Sequence, residues 1–524
     1  MAAVLAHTEL NSALSHGLSL ELNRWLREVA PSAQLSLDSR QIKRGDVFLA
    51  CPGESGDGRA FIAQAIDAGA AAVLFDDAHD FHWNEAWTVP HRAVTDLTKA
   101  AGMIAHDWYG QPDHELFSVA ITGTNGKTSC TQWLAQALSS EELPTAVVGT
   151  LGVGLYRDGV SHGFIATGFT TPDAVQLHRH LAEQKQQGAK ALAIEASSIG
   201  LVQGRMNELH IDVAVLTNFT RDHLDFHGDM QAYEAAKAML FEWPGLQHAV
   251  INLDDPMGIR MMARLQERHP EVTLYGYATQ TVDALSLTGV KLLAASDIRI
   301  AQHGTNFHLS SPFGSGTVRT QVIGQFNVSN MLAIACVLFA RGMSWNTVVT
   351  LLEALEPVPG RMQQLGGHEG PLAVIDYAHT PDALEKALAA LRPVAEARHG
   401  QLWCVFGCGG DRDAGKRPLM AAAANHADHL VITSDNPRSE APADIIAQIL
   451  SGLPESEKHK LQVLEDRASA ILSAIRHAGK NDVVLVAGKG HEDYQEIKGR
   501  RLAFRDADHA ALALATRATR YGGH

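Results

Sequence analysis

Cysteine is scarce: the 524 residues include five, Cys51, Cys130, Cys336, Cys404 and Cys408. They are too scattered for a disulfide framework, which fits a reducing compartment. Cys404 and Cys408 read as core thiols rather than as a metal pair. No apolar run approaches the ~20 residues that a membrane helix needs. The opening segment MAAVLAHTELNSALSHG has no basic region ahead of a sustained apolar core, so it does not read as a signal peptide, and a cytoplasmic location is expected. Positive charge is short as well: 43 Lys and Arg stand against 58 Asp and Glu, a net charge of −15. That balance argues against a nucleic-acid scaffold or a partner of anionic membranes, while a local basic pocket for a phosphorylated ligand stays open.

The composition, 46% apolar and 19% charged, is that of a globular protein. The length implies two to four domains. A first block runs to about residue 112, where Gln111-Pro112-Asp113 breaks the pattern. A second alternates apolar runs at 117–122, 191–196, 212–218 and 248–254 with helical stretches such as 230–243, the pattern of a parallel sheet covered on both faces. After a linker at 357–361 the alternation restarts, with strands expected at 372–378, 402–407, 429–435 and 483–488. The fold class is therefore α/β, and the last block is a second doubly wound α/β domain.

The sharpest chemical signal is Gly123-Thr124-Asn125-Gly126-Lys127-Thr128-Ser129, directly after a strand and before a helix. Glycines let backbone N–H groups converge on phosphates, the lysine neutralises them and a hydroxyl reaches Mg²⁺. No base-reading N-K-x-D motif accompanies it, which counts against a GTPase switch. Glu195, at the end of a buried strand, suits either a metal-holding acid or a helix cap. In the run 217–228, His223 and His227 are four apart, but Leu224 occupies the position where a zinc protease needs glutamate. Lys237 lies on an otherwise apolar helical face; a snorkelling surface lysine is the default reading, and a buried amine that reacts with CO₂ the alternative. In the last block three polar loops follow strands: Gly407 to Asp413, Ser434 to Arg438, and Gly488 to Glu492. Together they imply one ligand crevice. Arg412 and Arg438 suit carboxylates, while Asp435 and Glu492 suit an ammonium group, a mixture that fits an amino acid.

The ordered segments TGTNGKTS, EASSIGLVQGR, TNFTRDHLDFHG, YEAAKAMLF, GQFNVSN, DYAHTPDAL, GCGGDRDAGKRP, SDNPR and AGKGHEDYQ, between about residues 36 and 506, resemble the Mur ligases of peptidoglycan synthesis. Among these, the resemblance is greatest to members that add meso-diaminopimelate to UDP-MurNAc-L-Ala-D-Glu. Ser129 stands where threonine is commoner, and Ile199 where many relatives have histidine. The resemblance implies three domains: 1–112, a small N-terminal α/β domain for the UDP-substrate; 113–356, a central P-loop ATPase domain with a mostly parallel sheet; and 357–524, a C-terminal Rossmann-like domain for the amino acid. By motif, Leu37, Ser39, Glu54, Ser55 and Gly56 meet the uridine end of the UDP-substrate. Thr170, Thr171, Ser197, Gln203 and Arg205 hold its peptide and sugar-phosphate part. Residues 123–129 bind the ATP phosphates, with Asn327 and His379 near the adenosine.

Two Mg²⁺ ions are implied, one on Thr128 and Glu195, the other on His223 and a CO₂-derived carbamate on Lys237. Arg412, Asp435, Asn436, Pro437, Arg438, Gly488 and Glu492 are implied to bind diaminopimelate, with Arg438 pairing with the carboxylate that lysine lacks. The implied chemistry is phosphorylation of the D-Glu side-chain carboxylate by ATP, then attack of the amine on the acyl phosphate, with Lys127 spreading the charge. No nucleic-acid partner and no membrane insertion are expected, and a monomer is. Two rivals are a folylpolyglutamate synthase, which shares the phosphate loop but not the Asp-Asn-Pro-Arg loop, and a non-catalytic nucleotide-binding switch.

Overall fold

The computed structural model describes residues 17–53, 56–79, 81–281, 287–301 and 304–521. The chain divides into two compact units. The first comprises residues 1–120, 138–212 and 242–246, and the second residues 121–137, 213–241 and 247–524.

The first unit opens with a helix over 17–29 and a four-stranded parallel sheet, Leu35–Ser36, Val47–Ala50, Ala72–Asp76 and His91–Val94, in chain order. Alternation along the second strand sends its side chains to opposite faces. Val47 and Leu49 join Leu97, Ile104 and Ala105 of the helix Leu97–Trp108, whereas Phe48 and Ala50 join Ile62 and Ala65 of the helix Ile62–Asp67. The sheet is thus covered on both sides, which is why its inner strands are apolar up to Asp76 at the end of the third. Farther along, Thr145–Gly149 pairs in parallel with Ala191–Glu195 and antiparallel with Gly152–Arg157, which pairs with Val160–Ile165. The helix Ala174–Gln186 is capped by Asp173, whose carboxylate accepts the Gln176 N–H at 2.9 Å.

In the second unit the strands Val213–Leu216, His248–Asn252, Thr273–Ala278 and Lys291–Ala301 are successive parallel neighbours. Two antiparallel strands, Gly304–Ser311 and Gly314–Thr320, extend them. The expected helix at 230–243 is an α-helix over Met230–Ala238 that tightens into a 3₁₀ turn, Met239–Glu242. A six-stranded sheet follows, in the order Gln363–Gly366, Leu372–Asp376, Val483–Ala487, Leu402–Phe406, His429–Ile432, Leu461–Val463, parallel except for the first strand. One face packs on the helices Pro381–Ala397, Lys416–Ala424 and Pro442–Leu450, the other on Arg467–His477 and Asp506–Tyr521. The strands expected at 117–122, 191–196, 212–218, 248–254, 372–378, 402–407, 429–435 and 483–488 are all present, most of them shorter by a residue or more. All five cysteines are free thiols. Among the described residues no helix is long and apolar enough to cross a membrane.

Candidate active site

The strand Phe117–Thr122 runs into Gly123 and Gly126, whose φ values of +142° and +89° suit glycine, and the helix Lys127–Ser140 begins at once. A side chain at Gly123 would run into Thr217 Oγ1. Asn218 ties the loop down: its carbonyl accepts the Thr124 N–H at 2.8 Å, and its side chain accepts the Asn125 N–H at 2.9 Å. Lys127 curls back, donating to the carbonyl oxygens of Gly123 (2.8 Å) and Thr124 (2.9 Å). A glycine turn, a helix N-terminus and a lysine together make an anion cradle.

Lys237 is not the snorkelling surface lysine of the default reading. It is 1% exposed, donates to the Gly123 carbonyl at 2.8 Å and lies 4.4 Å from the centre of the Tyr233 ring. Burial, reinforced by the charge of Lys127, holds its pKa well below the usual lysine range, with Asp222 pulling the other way. Burial and the neighbouring Lys127 charge thus both disfavour the ammonium form. His223 takes a left-handed conformation, φ +52°, and its pKa is lowered by burial and by Lys127 and Lys237 against the pull of Asp222. Burial works against the Asp222 carboxylate, yet His223, His379 and Lys416 together bring its pKa down to about 2. His379 Nε2 stands 3.8 Å from Asp222, and its Nδ1 meets the Tyr377 carbonyl at 2.8 Å.

Asn327 is buried in the helix Gln325–Ala340, bound to the Ile323 carbonyl at 2.8 Å and to Asn330 at 3.3 Å. Sequence reasoning missed Asn330, against which a side chain at Gly126 would press. It also missed Arg361, which lies in the segment read as a linker. Its guanidinium donates to Thr128 Oγ1 at 3.1 Å and stacks 4.3 Å from the Tyr377 ring. The signal available was an arginine directly after a Pro-Gly turn.

In the first unit Glu195 is fully buried. It does not cap the following helix Ser198–Val202, a task that falls to Ser197, which accepts the Gly200 N–H at 3.0 Å. Instead its carboxylate accepts from the Thr150 N–H (2.8 Å) and hydroxyl (3.0 Å), and Thr150 was not among the expected residues. Thr170 meets Thr150 at 3.2 Å, Thr171 bonds Ser197 at 2.9 Å and the Glu195 carbonyl at 2.8 Å, and Arg205 donates to the Thr171 carbonyl at 2.8 Å. One network thus gathers Thr170, Thr171, Glu195, Ser197 and Arg205, and Gln203 ends the short helix beside them. Leu37 packs against the N-terminal core, and Ser39 is buried with its hydroxyl 3.4 Å from Gln64. Gly56 is exposed, while Glu54 and Ser55 lie outside the described residues.

The three loops of the six-stranded sheet do converge, for they leave the carboxyl ends of three adjacent strands. The Asn436 side chain donates through Nδ2 to Glu492 at 2.9 Å, and its Oδ1 accepts from Lys489 at 3.1 Å. Lys489, quoted in the motif but given no role, is fully buried and also donates to Glu492 at 2.7 Å. Burial and Asp435 raise the pKa of Glu492, against Lys489 and Asn436. Gly488, φ +117°, sits so close to Asp435 that an added Cβ would lie 2.6 Å from its carboxylate. Arg438, itself left-handed at φ +50°, donates to the Gly410 carbonyl at 2.8 Å with Glu496 3.7 Å away. Pro437 backs onto Gly410, and Arg412 donates to the Asp411 carbonyl at 3.1 Å. The guanidinium groups of Arg412 and Arg438 therefore share these loops with four carboxylates, those of Asp411, Asp413, Asp435 and Glu492.

A separate group, His106, Asp113 and His114, has ligand-type atoms within 4.8 Å of one another. Both oxygens of Asp113 are already engaged, one by His106 Nε2 at 2.8 Å and the other by the His210 N–H at 2.6 Å, so the carboxylate serves as a structural acceptor.

Three family models match the chain: the Mur ligase family catalytic domain over residues 33–109, the Mur ligase middle domain over 121–338, and the Mur ligase glutamate ligase domain over 360–490. A UDP-N-acetylmuramoyl-L-alanyl-D-glutamate--2,6-diaminopimelate ligase of Janthinobacterium sp. (strain Marseille) is 59% identical over 94% of this chain and 96% of its own. A solved structure of a ligase with the same name is 37% identical, with a TM-score of 0.62 over 93% of this chain and 95% of that one. A MurF ligase from Thermotoga maritima in complex with ADP, 17% identical, shares the fold at a TM-score of 0.64 over 94% of this chain and 99% of that one. With all three family models matched in order and a relative at 59% identity along nearly its whole length, the chain belongs to the Mur ligase family.

Proposed function

We propose that the chain catalyses ATP-dependent addition of meso-2,6-diaminopimelate to the D-Glu side-chain carboxylate of UDP-MurNAc-L-Ala-D-Glu, in peptidoglycan precursor synthesis, as a cytoplasmic monomer. The observation that carries the reading is the set of loops in which Arg412 and Arg438 stand with Asp435 and Glu492, since one ligand bearing both carboxylate and ammonium groups satisfies both signs. The domain assignments 1–112, 113–356 and 357–524 are proposed with it, supported by three family matches in the same order.

In this reading the N–H groups of the loop 123–129 and Lys127 take the ATP phosphates, and Arg361 adds a charge beside Thr128. Asn327 and His379 lie towards the adenosine. The donors suit Mg²⁺ where they are oxygens, as on Thr128 and Glu195; His223 is a less usual partner for a hard cation. Lys237 offers oxygens only after its neutral Nζ forms an N–C bond to CO₂ and gives up a proton, leaving a carbamate. Bound Mg²⁺ supplies charge neutralisation during phosphoryl transfer. The substrate carboxylate takes the γ-phosphoryl group, becoming an acyl phosphate, and ADP departs. Thr170, Thr171, Ser197, Gln203 and Arg205 orient the peptide and sugar-phosphate end, and Leu37, Ser39, Glu54, Ser55 and Gly56 the uridine end. Asp435 and Glu492 position the amine end of the incoming amino acid, and Arg438 and Arg412 its carboxylates. Loss of a proton from the amine, its attack on the acyl carbon and expulsion of phosphate complete the amide.

The test is ADP and phosphate release with UDP-MurNAc-L-Ala-D-Glu, ATP and Mg²⁺, comparing meso-diaminopimelate with L-lysine. Release with diaminopimelate and little with lysine is expected. Preference for lysine overturns the reading of the amino-acid pocket, and release with neither overturns the reaction.

A further inference from the structure

Among the largest fully buried side chains is an arginine that no ligand reading uses. Arg467 opens the helix Arg467–His477, and its partner Asp506 opens the last helix, Asp506–Tyr521. Both side chains are 0% exposed. The pair is bidentate, with Nε 2.7 Å from Oδ1 and Nη2 2.6 Å from Oδ2. Two further N–H groups go to backbone carbonyls, those of Ala487 at 2.9 Å and Ser434 at 3.3 Å.

Those two carbonyls are the informative part. Ser434 directly precedes Asp435, and Ala487 directly precedes Gly488. The strands that deliver them, His429–Ile432 and Val483–Ala487, are not neighbours, because Leu402–Phe406 lies between them in the sheet. The two strand ends share no backbone hydrogen bond with each other: each is laddered to the strand between them, and beyond it Asn436 ties the loops through Glu492 and Lys489. The guanidinium crosses that gap, and the Gly488 backbone and the Asp435 carboxylate end up so close that a Cβ would be 2.6 Å away. A buried ion pair is a poor way to gain stability, since apolar groups of similar volume often do as well. A planar fork with five donors is a good way to set the spacing of two carbonyls.

We propose that Arg467, held by Asp506, is a positioning residue for the amino-acid pocket: it sets the separation of the loops 435–438 and 488–492 and so the fit of the incoming amino acid. The proposal rests on the assignment of Asp435, Gly488 and Glu492 to that pocket. It also gives the C-terminal helix a part in substrate recognition, through Asp506.

The experiment uses the full chain and two variants, Asp506→Asn and Arg467→Lys. The first keeps the shape and removes the charge; the second keeps the charge and removes the fork. Steady-state ADP release is measured as each substrate is varied in turn. The expected result is a KM for meso-diaminopimelate raised about tenfold or more, with the KM for ATP within about twofold and kcat at saturating amino acid largely retained. A merely structural role would lower active protein uniformly and leave the amino-acid KM alone, and that result overturns the proposal. Hydrogen exchange on ligand-free protein gives a second reading: amides of 435–438 and 488–492 exchange faster in Asp506→Asn than in wild type, while those of 123–129 do not. Unchanged exchange in those two loops overturns it as well, as does failure of both variants to fold. Absence of wild-type turnover with diaminopimelate overturns the assigned reaction instead, and the exchange measurement still decides the role of Arg467.

Discussion

Replacing Gly126 by alanine tests whether the loop 123–129 grips the nucleotide phosphates. At φ +89° an L-residue pays a backbone penalty of about 1–2 kcal/mol. The new Cβ would also stand 2.5 Å from Asn330 Oδ1 and 3.3 Å from its Cγ, closer than the ~3.5 Å of an ordinary contact. Asn330 cannot simply swing away, being buried and bonded to Asn327 at 3.3 Å. Displacing it loses that hydrogen bond and local packing, about another 1–2 kcal/mol. If the strain falls on the loop, the KM for ATP rises by about 30-fold to about 10³-fold, the equivalent of about 2–4 kcal/mol. The assay is ADP release against ATP concentration at saturating UDP-substrate and amino acid, with a thermal melt to establish that the variant is folded. Adding Asn330→Ala to Gly126→Ala removes the clash but not the backbone strain, so about tenfold of the loss should return. A folded Gly126→Ala variant with ATP KM within about twofold of wild type refutes the cradle.

Lys237→Ala should reduce turnover to below about 1% of wild type, and ¹³C NMR after equilibration with ¹³CO₂ should show a carbamate signal in wild type that the variant lacks; wild-type activity in CO₂-free buffer sinks the carbamate. Arg438→Lys removes the planar fork while keeping a charge, and kcat/KM for diaminopimelate should fall by about 10²-fold with little change in the KM for ATP; a change under about threefold would exclude Arg438 from carboxylate recognition. His178 is buried, donates through Nε2 to the Asn207 carbonyl at 3.2 Å, and is held neutral, its pKa lowered by burial to about 4. Between pH 6.5 and about 4 the unfolded chain binds a proton that the folded one refuses, so this stabilisation is complete above pH 6.5 and drains away as pH falls. Over that window it amounts to about 3 kcal/mol. Thermal melts at pH 7 and pH 5 should differ less in His178→Asn than in wild type, and equal differences would contradict the buried neutral ring.

Much of the scaffold is legible in the sequence because strands buried on both faces must be apolar throughout, as at Val483–Ala487 and Leu402–Phe406. The phosphate loop is legible for a related reason: at Gly123 and Gly126 the backbone conformation itself selects the residue. The antiparallel strands Gly304–Ser311 and Gly314–Thr320 escape that reading, since their exposed faces dilute the apolar signal. Partners made by tertiary contact escape it too. Arg361 meets Thr128 across 233 residues of chain, and Asn330 reaches Gly126 from the mixed first turns of a helix whose remainder, from Met331 on, is apolar. Thr150 meets Glu195 only because their strands, Thr145–Gly149 and Ala191–Glu195, pair in parallel.

The character of Lys237 depends on the same kind of long-range placement, and the structure turns an uncertain sequence feature into a chemical argument. Its Nζ and that of Lys127 each lie 2.8 Å from one carbonyl oxygen, that of Gly123, so the two nitrogens are at most twice that distance apart. Within such a span, well inside the ~8–10 Å screening length of salt, two ammonium groups repel. Burial adds to the repulsion, and both favour the neutral form of the more deeply buried nitrogen, against the pull of Asp222. A neutral amine is the form that attacks CO₂, and the product carries a negative charge. Carbamate formation would therefore replace repulsion from Lys127 by attraction, without moving either backbone. Reversing the sign of the neighbour should reverse the preference. In Lys127→Glu the Lys237 amine would sit beside a carboxylate, hold its proton and form little carbamate, so the ¹³C signal should fade although Lys237 is untouched. A signal of wild-type strength in that variant would show that Lys127 has no part in activating the amine.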